Sequence, residues 1–124
     1  MGSKLIAASP VAASILETLD ASLAAPPESH RPSWTFPSLL LPESKYSVTH
    51  DAISQPLSTA VQIVLVDFLR AAGVQFRAVV GHPSGEIAAA YAAGFLCASD
   101  AIRIACYRGF YAELAAGMAG ERTA

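Results

Sequence analysis

The sequence predicts an α/β chain, mostly helical, with one clear strand that leads into a sharp glycine-flanked turn. Three observations predict it. Two long segments carry apolar residues at helical spacing between recognisable start and stop signals, the β-branched pair Val79-Val80 ends a short apolar run, and Gly81 and Gly85 bracket the turn that follows. The expected order is helix, long connection, helix, strand, turn, helix, helix, with no internal repeat and a single domain over residues 1–124.

Residues 9–24 form the first helix, with Ser9 as N-cap and Pro10 at the first helical position, where its missing N–H has no intrahelical partner to lose. Val11, Ile15, Leu16, Leu19 and Leu23 make one apolar stripe along it. Residues 26–50 shift to Pro, Ser, Glu and His and form a long connection, yet Trp34 and the run Leu39, Leu40 and Leu41 are too apolar for a solvated linker and must pack. Ser54-Gln55-Pro56 opens the second helix, which runs to Ala72 and stops at Gly73. Its Val61, Ile63, Val64, Leu65, Val66, Phe68 and Leu69 leave little polar face, which predicts burial on most sides.

Val74 to Val80 reads as a short buried strand, which requires neighbours to pair its backbone groups, and those neighbours are poorly signalled. Ile87 to Ala93 is a small-residue helix ended by Gly94, and Ser99-Asp100 caps a last helix toward Ala116. The helix-strand-turn-helix-helix core thus spans 54–116, and the tail 117–124 is expected to fray.

Composition narrows the function classes. A hydrophobic fraction of 53% against 15% charged residues describes a chain that buries much of itself in its own core or a partner. The net charge of −2 and the scattered Lys and Arg residues give no footprint for nucleic acid. Cys97 and Cys106 stand nine positions apart without a Cys/His set around them, so neither a disulfide framework nor a metal site is indicated; a reduced, cytoplasmic setting and no cofactor are expected. Pro10, Glu17 and Asp20 interrupt any signal-peptide core, and Ile6 stands where a myristoylation motif after Gly2 wants Ser or Thr. His82, Pro83 and Glu86 break the best apolar run well short of the ~18 residues of a membrane span, so no membrane is expected.

Val79-Val80-Gly81-His82-Pro83-Ser84-Gly85-Glu86-Ile87 has the layout of a nucleophile elbow, a strand followed by G-x-(nucleophile)-x-G and a helix. Such a turn projects its middle residue above the sheet while the following N–H groups face a developing oxyanion. Here the middle residue is Pro83, which has no nucleophilic atom and whose ring fixes φ near about −65°, so the turn itself must relax. Ser84 is a poor substitute, because one step along a starting helix turns a side chain by roughly 100° away from the apex. Its simpler role is to satisfy a free N–H at the helix start.

His82 is expected to be a buried, hydrogen-bonded structural histidine rather than a general base, and Glu86 to interact with the helix dipole. Arg108, within a largely apolar helix, calls for an anionic partner, either a carboxylate such as Glu86 or that of a substrate. His30 and His50 are expected to be solvated, and Tyr91, Tyr107 and Tyr111 to serve packing.

The runs Ile53-Ser54-Gln55-Pro56, Arg77-Ala78-Val79-Val80-Gly81-His82, Ser84-Gly85-Glu86-Ile87-Ala88-Ala89-Ala90-Tyr91-Ala92-Ala93-Gly94, Ser99-Asp100-Ala101-Ile102-Arg103 and Tyr107-Arg108-Gly109 closely resemble the malonyl-type acyltransferase domain of fungal highly reducing polyketide synthases. The resemblance implies an α/β-hydrolase-like acyltransferase fold, here a truncated one, and a G-H-S-x-G-E motif whose first serine takes the extender unit from malonyl-CoA and passes it to an acyl carrier protein. Pro83 stands at that serine's position, and the family's arginine for the malonyl carboxylate falls on Arg108. The resemblance also implies an oxyanion-hole loop before the first helix and a general-base histidine beyond Glu121, neither of them found in these 124 residues.

The expectation is therefore an acyltransferase-like fragment associated with polyketide biosynthesis, with a polyketide synthase or acyl carrier protein as partner and without transacylase activity of its own. Two alternatives stand beside it. One is an active transferase or hydrolase on malonyl-CoA or another acyl-CoA, using Ser84 or residues supplied by a partner; the other is a gene fragment without a role.

Overall fold

The computed structural model describes residues 8–26, 31–40 and 50–123. The expectations about Gly2, Ile6, His30 and Leu41 lie outside them. Among the described residues the α-helices follow in the order α1 Pro10–Ala24, α2 Phe36–Leu39, α3 Asp51–Ala71, α4 Glu86–Ala92 and α5 Ala98–Thr123, with a 3-10 turn at Pro83–Gly85 feeding α4.

Local signals account for most ends. The Ala12 N–H donates to Ser9 Oγ at 3.3 Å with Pro10 behind the cap, as the sequence predicts for α1. At the end of α3, Gly73 takes φ +90°, the Gly73 N–H donates to the Arg70 carbonyl and the Val74 N–H to the Leu69 carbonyl, the paired bonds of a glycine-dependent helix stop. Gly94 repeats this arrangement after α4 at φ +86°.

Other ends differ from the sequence reading. The second helix begins at Asp51 rather than at the Ser54-Gln55-Pro56 step, with the Ile53 and Ser54 N–H groups both donating to the His50 carbonyl, so buried Pro56 sits inside α3. Helix α5 begins at Ala98, where Ser99 bonds to buried Ser22 across α1 at 2.8 Å, and its backbone stays helical to Thr123.

The single strand is corrected by the structure: among the described residues there is no strand, and 74–82 runs without regular structure between α3 and the 3-10 turn. A strand exists only when a second extended segment completes its hydrogen-bond ladder, and the described residues contain none. The preference of Val79-Val80 for a half-buried pleated surface therefore finds no surface, and Val80 is 97% exposed. Among its described residues the chain is all-helical.

The core lies where α1, the Trp34–Leu39 segment, α3 and α5 meet. Leu16, Leu19 and Leu23 from α1, Phe36 and Leu39 from α2, Leu57, Ala60, Ile63 and Val64 from α3, and Ala101, Ile102 and Ala105 from α5 are buried together. Trp34 packs edge-on against Phe36, ring centroids 5.3 Å apart, which fulfils the expectation that this stretch is not a solvated linker. The Phe36 N–H donates to Asp20 Oδ1 at 3.0 Å, and burial, opposed by that bond, raises the Asp20 carboxyl above its ordinary range.

Two packing expectations change. Val11 is exposed and Ala12 takes its place against the core, and α3 leaves Leu65 and Leu69 exposed instead of being covered on most sides. By length and composition α3 is also apolar enough to cross a membrane, with a mean hydropathy of 1.4, although the sequence reading looked for such a run at the elbow. A core helix passes the same test, and Ile53, Leu57, Ala60, Ile63 and Val64 are all buried in this core.

Helices α3 and α5 come into close contact at Gly109, where a Cβ would collide with the Asp51 carbonyl oxygen. Hydrogen in place of a side chain is what permits this backbone-to-backbone contact.

Candidate functional site

The elbow segment connects the extended residues after Gly73 to α4. His82 is extended at φ −117°, ψ 140°, Pro83 opens the 3-10 turn, the Gly85 N–H donates to the His82 carbonyl at 2.9 Å, and the Glu86 N–H donates to the Pro83 carbonyl. Proline suits this place: its fixed φ is that of a helical first turn, and no N–H is needed there. No residue other than glycine takes positive φ among the described residues, so the apex carries none of the backbone strain of a working elbow.

The two flanking glycines play unequal parts. A Cβ on Gly81 would overlap the Gly85 carbonyl group and the Glu86 nitrogen, whereas one on Gly85 would meet nothing. The turn folds back on Gly81 so tightly that only glycine fits, while at Gly85 there is open space for a side chain.

Arg108 reaches this turn from α5. Its guanidinium donates to the Pro83 carbonyl at 2.9 Å, so that oxygen accepts both from the α4 start and from Arg108. The sequence reading looked for a carboxylate partner and did not foresee a main-chain carbonyl; among the described residues Glu86, on the same turn, forms neither a hydrogen bond nor an ion pair with Arg108. Arg108 is exposed, as are His82, Pro83, Ser84 and Glu86. His82 is thus not the buried structural histidine expected, because the cover that a sheet would give it is not made by the described residues.

Among the described residues Ser84 Oγ has no hydrogen-bond partner, so no base is in place to take its proton. His50, expected to be solvated, is largely exposed but lies 3.2 Å from Glu113 on α5. No group of three or more His, Cys, Asp or Glu side chains comes together as a metal site among the described residues.

Beside the elbow lies an open groove of about 440 Å³, floored by Leu65, Val66 and Leu69 of α3 and walled by Phe76, Val79 and Val80, with His82 and Ser84 on its rim. A clasp stands next to its Leu69 and Ala92 end. Arg70 donates to the Ala92 carbonyl at 2.6 Å and stacks over the Tyr91 ring at 5.2 Å, while the Tyr91 hydroxyl donates to Asp67. Burial first, and the Asp67 carboxylate second, push the Tyr91 phenol up to about 12. Sequence reasoning missed this clasp and the Gly109 contact. A basic residue in the last turn before Gly73 and a lone glycine inside a helical pattern were the available signals.

The model of the acyl transferase domain matches residues 1–124. The chain is 56% identical over 117 residues to the fusarielin synthase FSL1 of Gibberella zeae, 61% over 116 residues to the hybrid PKS-NRPS synthetase prlS of a fungal species, and 54% over 123 residues to the highly reducing polyketide synthase milA of Cordyceps militaris. These alignments cover 94%, 93% and 98% of this chain, which in turn spans only 4%, 3% and 5% of the length of those relatives.

Proposed function

Because the chain belongs to the acyl transferase domain family, we propose that it serves polyketide biosynthesis as an acyltransferase-type unit that does not itself accept an acyl group. The observation that carries this reading is the apex. Where the family's motif has its serine, this chain has Pro83, which offers no oxygen to acylate.

Two further features support it. The relaxed, helical turn at Pro83 lacks the conformation that holds a nucleophile above its oxyanion donors. Arg108, the position of the family's carboxylate-binding arginine, is engaged with the Pro83 carbonyl. In this reading residues 1–124 act as one unit in the cytoplasm, bound to a polyketide synthase or its acyl carrier protein. Malonyl-CoA is the acyl donor of that assembly rather than a substrate turned over by this chain. The names and identities of the relatives support the association.

The test is intact-mass and peptide mass spectrometry after incubation with malonyl-CoA, with and without acyl carrier protein. No acyl adduct is expected on any residue. An ester on Ser84 that disappears in Ser84→Ala overturns the reading in favour of an active transferase. Co-elution with the synthase or carrier protein in size-exclusion chromatography is expected, and separate elution removes the proposed partner.

A further inference from the structure

A second site lies away from the elbow, between the Arg31–Trp34 segment and the middle of α5. Four aromatic side chains converge there, Trp34, Tyr107, Phe110 and Tyr111, around a cavity of about 210 Å³ that Arg31 and Cys106 also line. The Tyr107 and Tyr111 rings lie within 21° of parallel at 6.5 Å, and Phe110 meets Tyr111 edge-on at 5.4 Å. The site is separate from the elbow because Arg108 points roughly 130° around α5 from the middle of the 106–111 face, at 100° per residue.

We propose that this cavity binds a single-ring aromatic carboxylate. Size sets the first limit. An apolar cavity of about 150 Å³ takes up benzene, so the present one holds one ring with a short side chain and is too small for a fused polycycle. Wall chemistry sets the second: four aromatic side chains supply much of the lining, and their ring faces and edges favour an aromatic guest. Charge sets the third. Among the described residues Arg31 is the one charged side chain on the lining, its Nε donates to the Pro26 carbonyl at 2.8 Å, and no carboxylate pairs with it. A guanidinium so placed attracts a carboxylate and repels an ammonium.

Two built-in reporters make the test direct. Trp34 is the chain's single tryptophan, so its emission reads occupancy without a label. Cys106 is half-buried in the same wall, with a thiol that burial holds above its ordinary pKa, so it is expected to alkylate slowly and to be shielded by a guest in the cavity.

The chain, in a Cys97→Ser background, is titrated with phenylacetate, the neutral phenylacetamide and the cationic benzylamine. Trp34 emission and the rate of Cys106 alkylation by iodoacetamide are followed. Phenylacetate is expected to saturate the emission change with a dissociation constant in the roughly millimolar range or tighter, about tenfold below that of phenylacetamide, and to slow alkylation severalfold. Arg31→Gln is expected to abolish the preference for phenylacetate over phenylacetamide while leaving phenylacetamide binding in place. The proposal is overturned by emission changes that stay linear for all three probes, by equal or stronger binding of benzylamine, or by alkylation that phenylacetate does not slow. The comparison of the three probes on the natural Arg31 decides the matter even if the variant does not fold.

Discussion

The two sides of α3 behave as different environments. Its inner side, at Leu57, Ala60, Ile63 and Val64, is sealed by α1 and α5. Its outer side, at Leu65 and Leu69, faces the open groove beside Val79 and Val80. One helix thus carries comparable aliphatic residues into opposite fates, and the difference comes from what lies across from each face and not from the residues themselves. The inner side buries its apolar groups within the chain, while the groove side leaves Leu65 and Leu69 uncovered.

Truncations on the two faces sharpen the contrast most. Leu57→Ala or Ile63→Ala is expected to destabilise by about 2–5 kcal/mol in urea denaturation, the transfer loss plus the cavity left behind. Leu65→Ala on the open face should cost less than about 1 kcal/mol. Equal losses at the two sites would break the distinction.

Glycine substitutions give the next largest effect. Gly109→Ala drives a methyl group into the Asp51 carbonyl and is expected to cost about 1–3 kcal/mol. Gly85→Ala meets no neighbour and has φ −80°, so it should be neutral or stabilise by up to about 1 kcal/mol. Thermal melts of the two variants settle the order.

The smallest effect belongs to the clasp at the groove's end. Tyr91→Phe loses the bond to Asp67, and a cost of about 1 kcal/mol is expected. Its pH signature is distinctive. Burial and Asp67 favour the neutral phenol in the native state, so the associated stability is fully present below pH 10.0 and is lost as pH rises from there toward about 12. Stability curves of the natural chain and Tyr91→Phe should converge over that window, and parallel curves would show that Tyr91 ionises alike in both states.

What the sequence made legible was local. Ser9-Pro10, Gly73 and Gly94 mark helix ends because a cap or a positive φ is decided within a few residues. The start of α3 was misplaced because Pro56 has the look of a first-turn proline, whereas the bonds to the His50 carbonyl set the start at Asp51. Val79-Val80 misled for a different reason. A strand is a relation between two segments, and no spacing within one of them reveals whether the other is near. The same holds for the site: Gly81 and Pro83 were readable as a turn without a nucleophile, but the reach of Arg108 to the Pro83 carbonyl depends on how α5 crosses α3.

That crossing has a geometric consequence. With a backbone contact at Gly109, no side chain stands between α5 and the start of α3, and Arg108 is one residue away, about 1.5 Å along the axis. The turn at Pro83 is therefore tethered to α5 right beside its contact with α3, and a residue with no side chain sets where that tether stands.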